Sequence, residues 1–200
     1  DTGPGNGLID KLIRQRTKGK EMMDTDGQYG ARGRLDASVL AALYEKSIIK
    51  DGQNYFSTKP PKSLDIGDMV LIHELEQLSI EDAARTLEAF TADSIVRSLD
   101  LLDANYPLPM TWIAAGGGWN NPVILAELEQ RLKHRLGDSA IVQTAAQAGW
   151  NGHALEAQIF AYLAVRSLLN LPLSVPGTTN VPKPLSGGKH FHPKQMFCVS

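Results

Sequence analysis

The 200-residue chain has a single cysteine, Cys198, so no intrachain disulfide can form. That fits a reducing compartment. No stretch approaches the ~20 consecutive apolar residues that a membrane-spanning helix needs. Neither sign of charge dominates: 20 Lys and Arg stand against 22 Asp and Glu, a formal net charge of −2. Such a balance excludes a general attraction to nucleic acid or to an anionic membrane surface. The sequence also lacks an internal repeat, a low-complexity tract, a Walker A loop and a GxGxxG fingerprint. No signal peptide is visible. The chain opens on Asp1, already inside a turn motif rather than on methionine, so the expectation is that an upstream segment precedes it in the protein.

What is present suits a globular chain. The apolar share is 42%, enough for a real core. The length suits one domain, expected over 1–193, with a short tail at 194–200. Apolar residues recur at helical spacing over 7–18, where Leu8, Ile9, Leu12 and Ile13 share a face. They recur again over 35–48, with Leu35, Val39, Leu40 and Leu43. The clearest helix is expected over 79–102, where Ser79 and Asp82 have capping-box spacing. A further helix over 120–136 has Asn121 to cap it and Pro122 at its first position. The helix at 152–169 is apolar almost all round, which predicts burial. Short buried strands are expected at 110–115 and 139–145, and a loop over 50–68. Strands alternating with helices, the helices in excess, indicate an α/β layer architecture. The Pro- and Gly-rich segment from 170 reads equally as a linker or as an ordered wrapping segment.

Two glycine-rich turns stand out. In "WIAAGGGWNNP" a strand runs through Gly116, Gly117 and Gly118 into a helix that starts near Asn121. Glycine lets a ligand approach the backbone, and a helix start presents unpaired N–H groups with a positive dipole end. That is a natural anion or nucleotide site, or else a tight connection that needs small residues for packing. The opening "DTGPGN" repeats the pattern. Gly3 and Gly5 bracket Pro4 ahead of a helix, with a carboxylate at Asp1 that suits a phosphate and its magnesium ion. Two such turns in one α/β chain suggest that both touch one nucleotide.

"DTGPGN", "PPKS", "GGGWNNP", "GHALEAQIFAYLA" and "LPLSVPGTTNVPKPLSGG" occur in the order found in the anhydro-N-acetylmuramic acid kinases, which the chain resembles over about 1–193. These belong to the sugar kinase, actin and heat-shock ATPase superfamily. The resemblance implies the C-terminal lobe of an actin-like, ribonuclease H-like α/β fold, a mixed sheet flanked by helices. It implies ATP-dependent phosphorylation of 1,6-anhydro-N-acetylmuramic acid, with water opening the anhydro ring to give N-acetylmuramic acid 6-phosphate in cytoplasmic peptidoglycan recycling. The implied cofactors are ATP and magnesium and the implied partner is the sugar; a homodimer stays open. By the same likeness Asp1, Gly3, Gly5 and Asn6 lie near phosphates, Gly116, Gly117, Gly118 and Asn121 near adenosine, and Glu156 faces the sugar. On the residues alone, Glu156 reads either as a site residue screened by Phe160 and Leu163 or as a first-turn glutamate favoured by the helix dipole. The family's first phosphate loop and general-base aspartate have no match here, so no catalytic residue is assigned. A chaperone-like or regulatory ATPase module of the same superfamily is the alternative.

Weaker signals read as structural. "DTDG" at 24–27 lacks the spacing of a calcium loop, and "HELE" at 73–76 lacks the second histidine of a zinc protease. His190, His192 and Cys198 read as tail residues. Lys62 either reaches a phosphate or substrate carboxylate or is a solvated loop lysine.

Overall fold

The computed structural model describes residues 1–50, 52–189 and 191. They form a mixed α/β arrangement with two compact units, Asp1–Leu155 and a second that begins at Glu156. Among the described residues no helix is long and apolar enough to cross a membrane.

The first unit is built round one helix. Ser79 starts it, its Oγ accepting from the Asp82 N–H at 3.0 Å, and α3 (Ile80–Arg97) follows. Only this half of the expected capping box is seen, because the Asp82 carboxylate accepts from the Arg34 N–H at 2.7 Å instead. Helices α1 (Gly7–Arg16), α2 (Ala37–Lys46) and α4 (Pro122–Leu136) all pack on α3. Being covered on several sides, α3 buries polar residues as well as its apolar stripe, among them Thr86, Glu88, Thr91 and Ser94. The apolar face of α1 sinks Leu8, Leu12 and Ile13 against Leu43, Leu87 and Phe90. A second cluster joins Val96 of α3 and Leu99, in the 3-10 turn that follows it, to Leu128 and Leu132 of α4. The Trp119 ring packs against both clusters. Leu35, expected on the buried face of α2, is exposed because it precedes the Asp36 cap and lies outside the helix.

Strands β3 (Thr111–Ala114) and β4 (Ile141–Thr144) pair in parallel, Thr111 opposite Ile141 and Ala114 opposite Thr144. Helix α4 connects them, so the turn after β3 lies at the carboxyl end of a β-α-β unit. Expected as buried strands, both are mostly half-exposed, with only Ala114 buried. Each is a short edge with one neighbour. The expected loop over 50–68 contains part of an antiparallel hairpin, β1 (Ile49–Lys50) with β2 (Gln53–Asn54), whose two-residue strands are too short to show alternation. The described residues thus form two separate two-stranded sheets where one mixed sheet was expected, because only two stretches carry enough strand pattern to pair in parallel.

The second unit contains α5 (Leu155–Leu168) and the one-turn α6 (Pro176–Thr179). Its Pro- and Gly-rich segment folds back on itself between 173 and 185. The Leu173 N–H donates to the Leu185 carbonyl at 2.8 Å, and the Leu185 N–H returns to Ser174 at 2.9 Å. Arg166 of α5 reaches the Pro172 carbonyl at 2.7 Å. The expected burial of α5 is not met: no residue of it is buried, and Phe160 is 64% exposed. A helix apolar all round needs partners on several sides, and the turn that folds back on α5 covers too little of it.

Candidate functional site

The opening turn is held from three sides. The Gly7 N–H closes on the Pro4 carbonyl at 3.0 Å, with Gly5 at a φ of +55° that favours glycine. Thr91 of α3 donates its hydroxyl to the Gly5 carbonyl at 2.7 Å. Gly3 lies so close to Ser94 that a β-carbon there would overlap the serine. The Tyr55 hydroxyl donates to the Asp1 carbonyl at 2.7 Å, and the Asp1 carboxylate accepts from the Leu64 N–H at 2.8 Å. Lys62 supports this neighbourhood from behind. Its Nζ donates to the Tyr55 carbonyl at 2.9 Å and sits 4.2 Å from the Tyr55 ring centre, and burial pushes its pKa down. Its ammonium is thus engaged with Tyr55, which accounts for it structurally.

The second turn leaves β3 through Gly116, at φ +104° and ψ +161°, a conformation reserved for glycine. Gly117–Asn120 then form a single 3-10 turn. Asn121 caps α4, its Oδ1 accepting from the N–H groups of Val123 at 2.9 Å and Ile124 at 3.4 Å.

The two turns meet. A β-carbon on Gly118 would come within 3.1 Å of the Asn6 side chain. Between them opens a cavity of about 850 Å³. Asp1, Gly3, Gly5, Asn6, Gly117 and Gly118 line it, as do first-turn residues of both α1 and α4. Two glycine turns and two helix starts on one cavity suit an anionic ligand. The volume is of the size that small-molecule sites have. Gly116 lines a smaller adjoining space with Gly117 and Trp119. Asn121 does not line the cavity. It is 5% exposed and turned inward, where its Nδ2 donates to Glu88 Oε1 at 2.6 Å.

Several lining residues had no sequence signal. Trp119 and Asn120 line the cavity beside the glycines, and Thr91 and Ser94 look like ordinary polar residues of a helix. The clue available was that both sit on the face of 79–102 that also carries Leu87 and Phe90. Asp10 also faces the cavity, and burial raises its carboxyl pKa despite the opposing Arg14 charge. Glu156 lies in the second unit, in the first turn of α5, and is exposed. Phe160, expected to screen it, is itself exposed. His190, His192, Cys198 and the tail 194–200 lie outside the described residues. Among the described residues no group of three or more His, Cys, Asp or Glu side chains is arranged to hold a metal ion. In "HELE" the exposed His73 pairs only with Glu76, at 2.9 Å.

Comparison with known proteins decides the family. The model of the anhydro-N-acetylmuramic acid kinase family (AnmK) matches residues 1–193. The chain belongs to this family. The anhydro-N-acetylmuramic acid kinase of Phenylobacterium zucineum (strain HLK1) is 41% identical over 194 residues, which is 97% of this chain and 47% of that protein. That of Caulobacter vibrioides is 41% identical over 189 residues, 94% of this chain and 46% of the relative. The Rhodospirillum rubrum kinase is 42% identical over 191 residues, 96% and 46% respectively. The chain therefore spans about half the length of the curated anhydro-N-acetylmuramic acid kinases it matches.

Proposed function

We propose that this chain is the nucleotide-binding half of a cytoplasmic kinase that uses ATP to phosphorylate 1,6-anhydro-N-acetylmuramic acid, with hydrolytic opening of the anhydro ring, in peptidoglycan recycling. Membership of the kinase family supports the activity. The observation that carries the nucleotide assignment is the meeting of Asn6 and Gly118 on one cavity, which brings both glycine turns to a single ligand. The opening turn takes the phosphates, where N–H groups and the α1 start compensate their charge. The second turn takes the adenosine, beside Trp119. The lobe is the C-terminal one of an actin-like fold.

Magnesium fits this chemistry in kind. It keeps several waters and takes one or two carboxylates beside the phosphates, and Asp1 and Asp10 both line the cavity. When bound it would offset the charge that spreads over the transferred phosphoryl group. Glu156 binds the sugar, and the base that activates water lies outside these residues.

The test is ADP release by the full-length protein. Turnover should require both ATP and anhydro-N-acetylmuramic acid, yield N-acetylmuramic acid 6-phosphate, and be absent from residues 1–200 alone. ATP hydrolysis indifferent to the sugar would overturn the assignment in favour of an ATPase module.

A further inference from the structure

The most unusual group outside the cavity wall is Glu88. It sits on α3 with no exposed surface, and Asn121 satisfies only one of its oxygens. Oε2 is buried without a hydrogen-bond partner. An orphaned carboxylate oxygen in an apolar interior is costly, so its surroundings must explain it.

The segment 24–30 wraps this carboxyl. Asp26 and Gly27 both take positive φ, 54° and 66°. Gly27 is needed beside Asn121, since a β-carbon there would lie 2.9 Å from Val123 and closer still to the asparagine. At Gly30 a β-carbon would overlap the Glu88 carboxyl itself. Asp24 is 6% exposed and accepts from the N–H groups of Tyr29 at 2.9 Å and Gly30 at 3.0 Å. Those donors suit a carboxylate at Asp24.

The charged groups around Glu88 do not neutralise it. On its own helix Arg85 is directed to Glu127. From α4 come the neutral Asn121 and Glu127, the latter also held by Arg131. The 30–32 turn brings only Gly30, while Arg32 pairs with Glu81 at 3.5 Å. From the wrapping segment comes a like charge, Asp24. Among the described residues no ion pair reaches Glu88. A proton on Oε2 meets every requirement at once: it removes a buried charge and supplies the missing donor toward Asp24.

We infer that Glu88 is a positioning residue for the nucleotide turn: it shares one proton with Asp24, and this singly charged pair, with Glu88 itself uncharged, holds Asn121 and thereby the 117–120 turn and the start of α4. The inference rests on the nucleotide reading proposed above. Its pKa agrees with the geometry, raised to about 8 by burial first and by Asp24 second, with Asn121 and Arg85 opposing. Loss of the proton returns two carboxylates to one dry site and loosens the turn.

The experiment is calorimetric titration of ATP into the full-length protein at pH 7 and pH 9, as wild type and as Glu88→Gln. The amide keeps an acceptor for Asn121 and a permanent donor for Asp24. If the competent form is the protonated one, affinity scales with its population, so the wild-type Kd should rise about tenfold between the two pH values. Glu88→Gln should bind as wild type does at pH 7 and change by less than about twofold at pH 9. Infrared spectroscopy should show a protonated-carboxyl band at pH 7 that Glu88→Gln lacks. A wild-type Kd that does not rise, or the same rise in Glu88→Gln, overturns the inference. If wild type binds no ATP, the nucleotide reading fails and the positioning role fails with it. The infrared band then separates the two failures, because its presence still establishes the shared proton and its absence removes that as well.

Discussion

Gly117→Val offers the cleanest probe of the glycine turn, because the three adjacent glycines are there for different reasons. Gly116 has a φ of +104°, so any side chain there strains the backbone. Gly118 faces Asn6, and a β-carbon would crowd it at 3.1 Å. At Gly117 φ is not positive, and nothing lies within 4 Å of an added β-carbon. Valine at 117 is therefore tolerated by the protein and intrudes only on the cavity. Forcing extra methyl groups against a fitted surface costs about 1–3 kcal/mol. At 1.36 kcal/mol per decade that weakens ATP binding by roughly five- to 150-fold. The assay is paired, in the full-length protein: KM for ATP against KM for the sugar, and the midpoint of urea unfolding. The expected pattern is a raised ATP constant, an unchanged sugar constant and an unchanged midpoint. An unchanged ATP constant would refute the placement of nucleotide on this turn and return the glycines to packing.

Gly116→Ala should instead lower stability by about 1–3 kcal/mol, the cost of a side chain in a glycine-only conformation, read from the urea midpoint. Thr91→Val removes the hydroxyl that holds the Gly5 carbonyl and keeps the shape; leaving that acceptor unpaired should cost about 1–3 kcal/mol of stability and raise the ATP KM. Glu156→Gln tests the sugar assignment: loss of a charge-assisted bond worth roughly 1.5–3 kcal/mol should lower sugar-dependent kcat/KM by about one to two decades, with ATP affinity and melting temperature unmoved. The pH dependence of stability follows from Glu88. Its folded-state pKa is raised from 4.5 to about 8, so the folded protein binds the extra proton between those values. The contribution is full below about 4.5 and is lost as pH rises through about 8, and Glu88→Gln should flatten that fall in the urea midpoint.

The elements with a strong local period were legible in the sequence. Helices α1, α3 and α4 show their apolar stripes, and Asn121 and Ser79 announce the starts of α4 and α3 by chemistry that acts within three residues. The two glycine turns were legible as well, because a backbone that must approach something closely leaves few residue choices. That they meet was not, since Asn6 and Gly118 are brought together only by the packing of α1 and α4 on α3. The hairpin at 49–54 escaped because strands of two residues carry no alternation. Glu88 escaped because a lone acid between Leu87 and Ala89 has the spacing of any helix residue; its burial comes from "DTDGQYG", a stretch whose glycines make sense only against side chains far along the chain. The expected burial of α5 rested on hydropathy alone, which reports what a helix would gain from cover rather than what covers it.

The central claim, that both glycine turns of this chain hold one ATP, is tested most directly by photolabelling the full-length protein with 8-azido-ATP and mapping the modified peptides. Label competed by ATP and concentrated on residues of the 112–128 peptide, Trp119 and its neighbours foremost, is the expected result, and Gly117→Val should diminish it. Competed label that falls outside both 1–12 and 112–128, undiminished in Gly117→Val, would contradict the account.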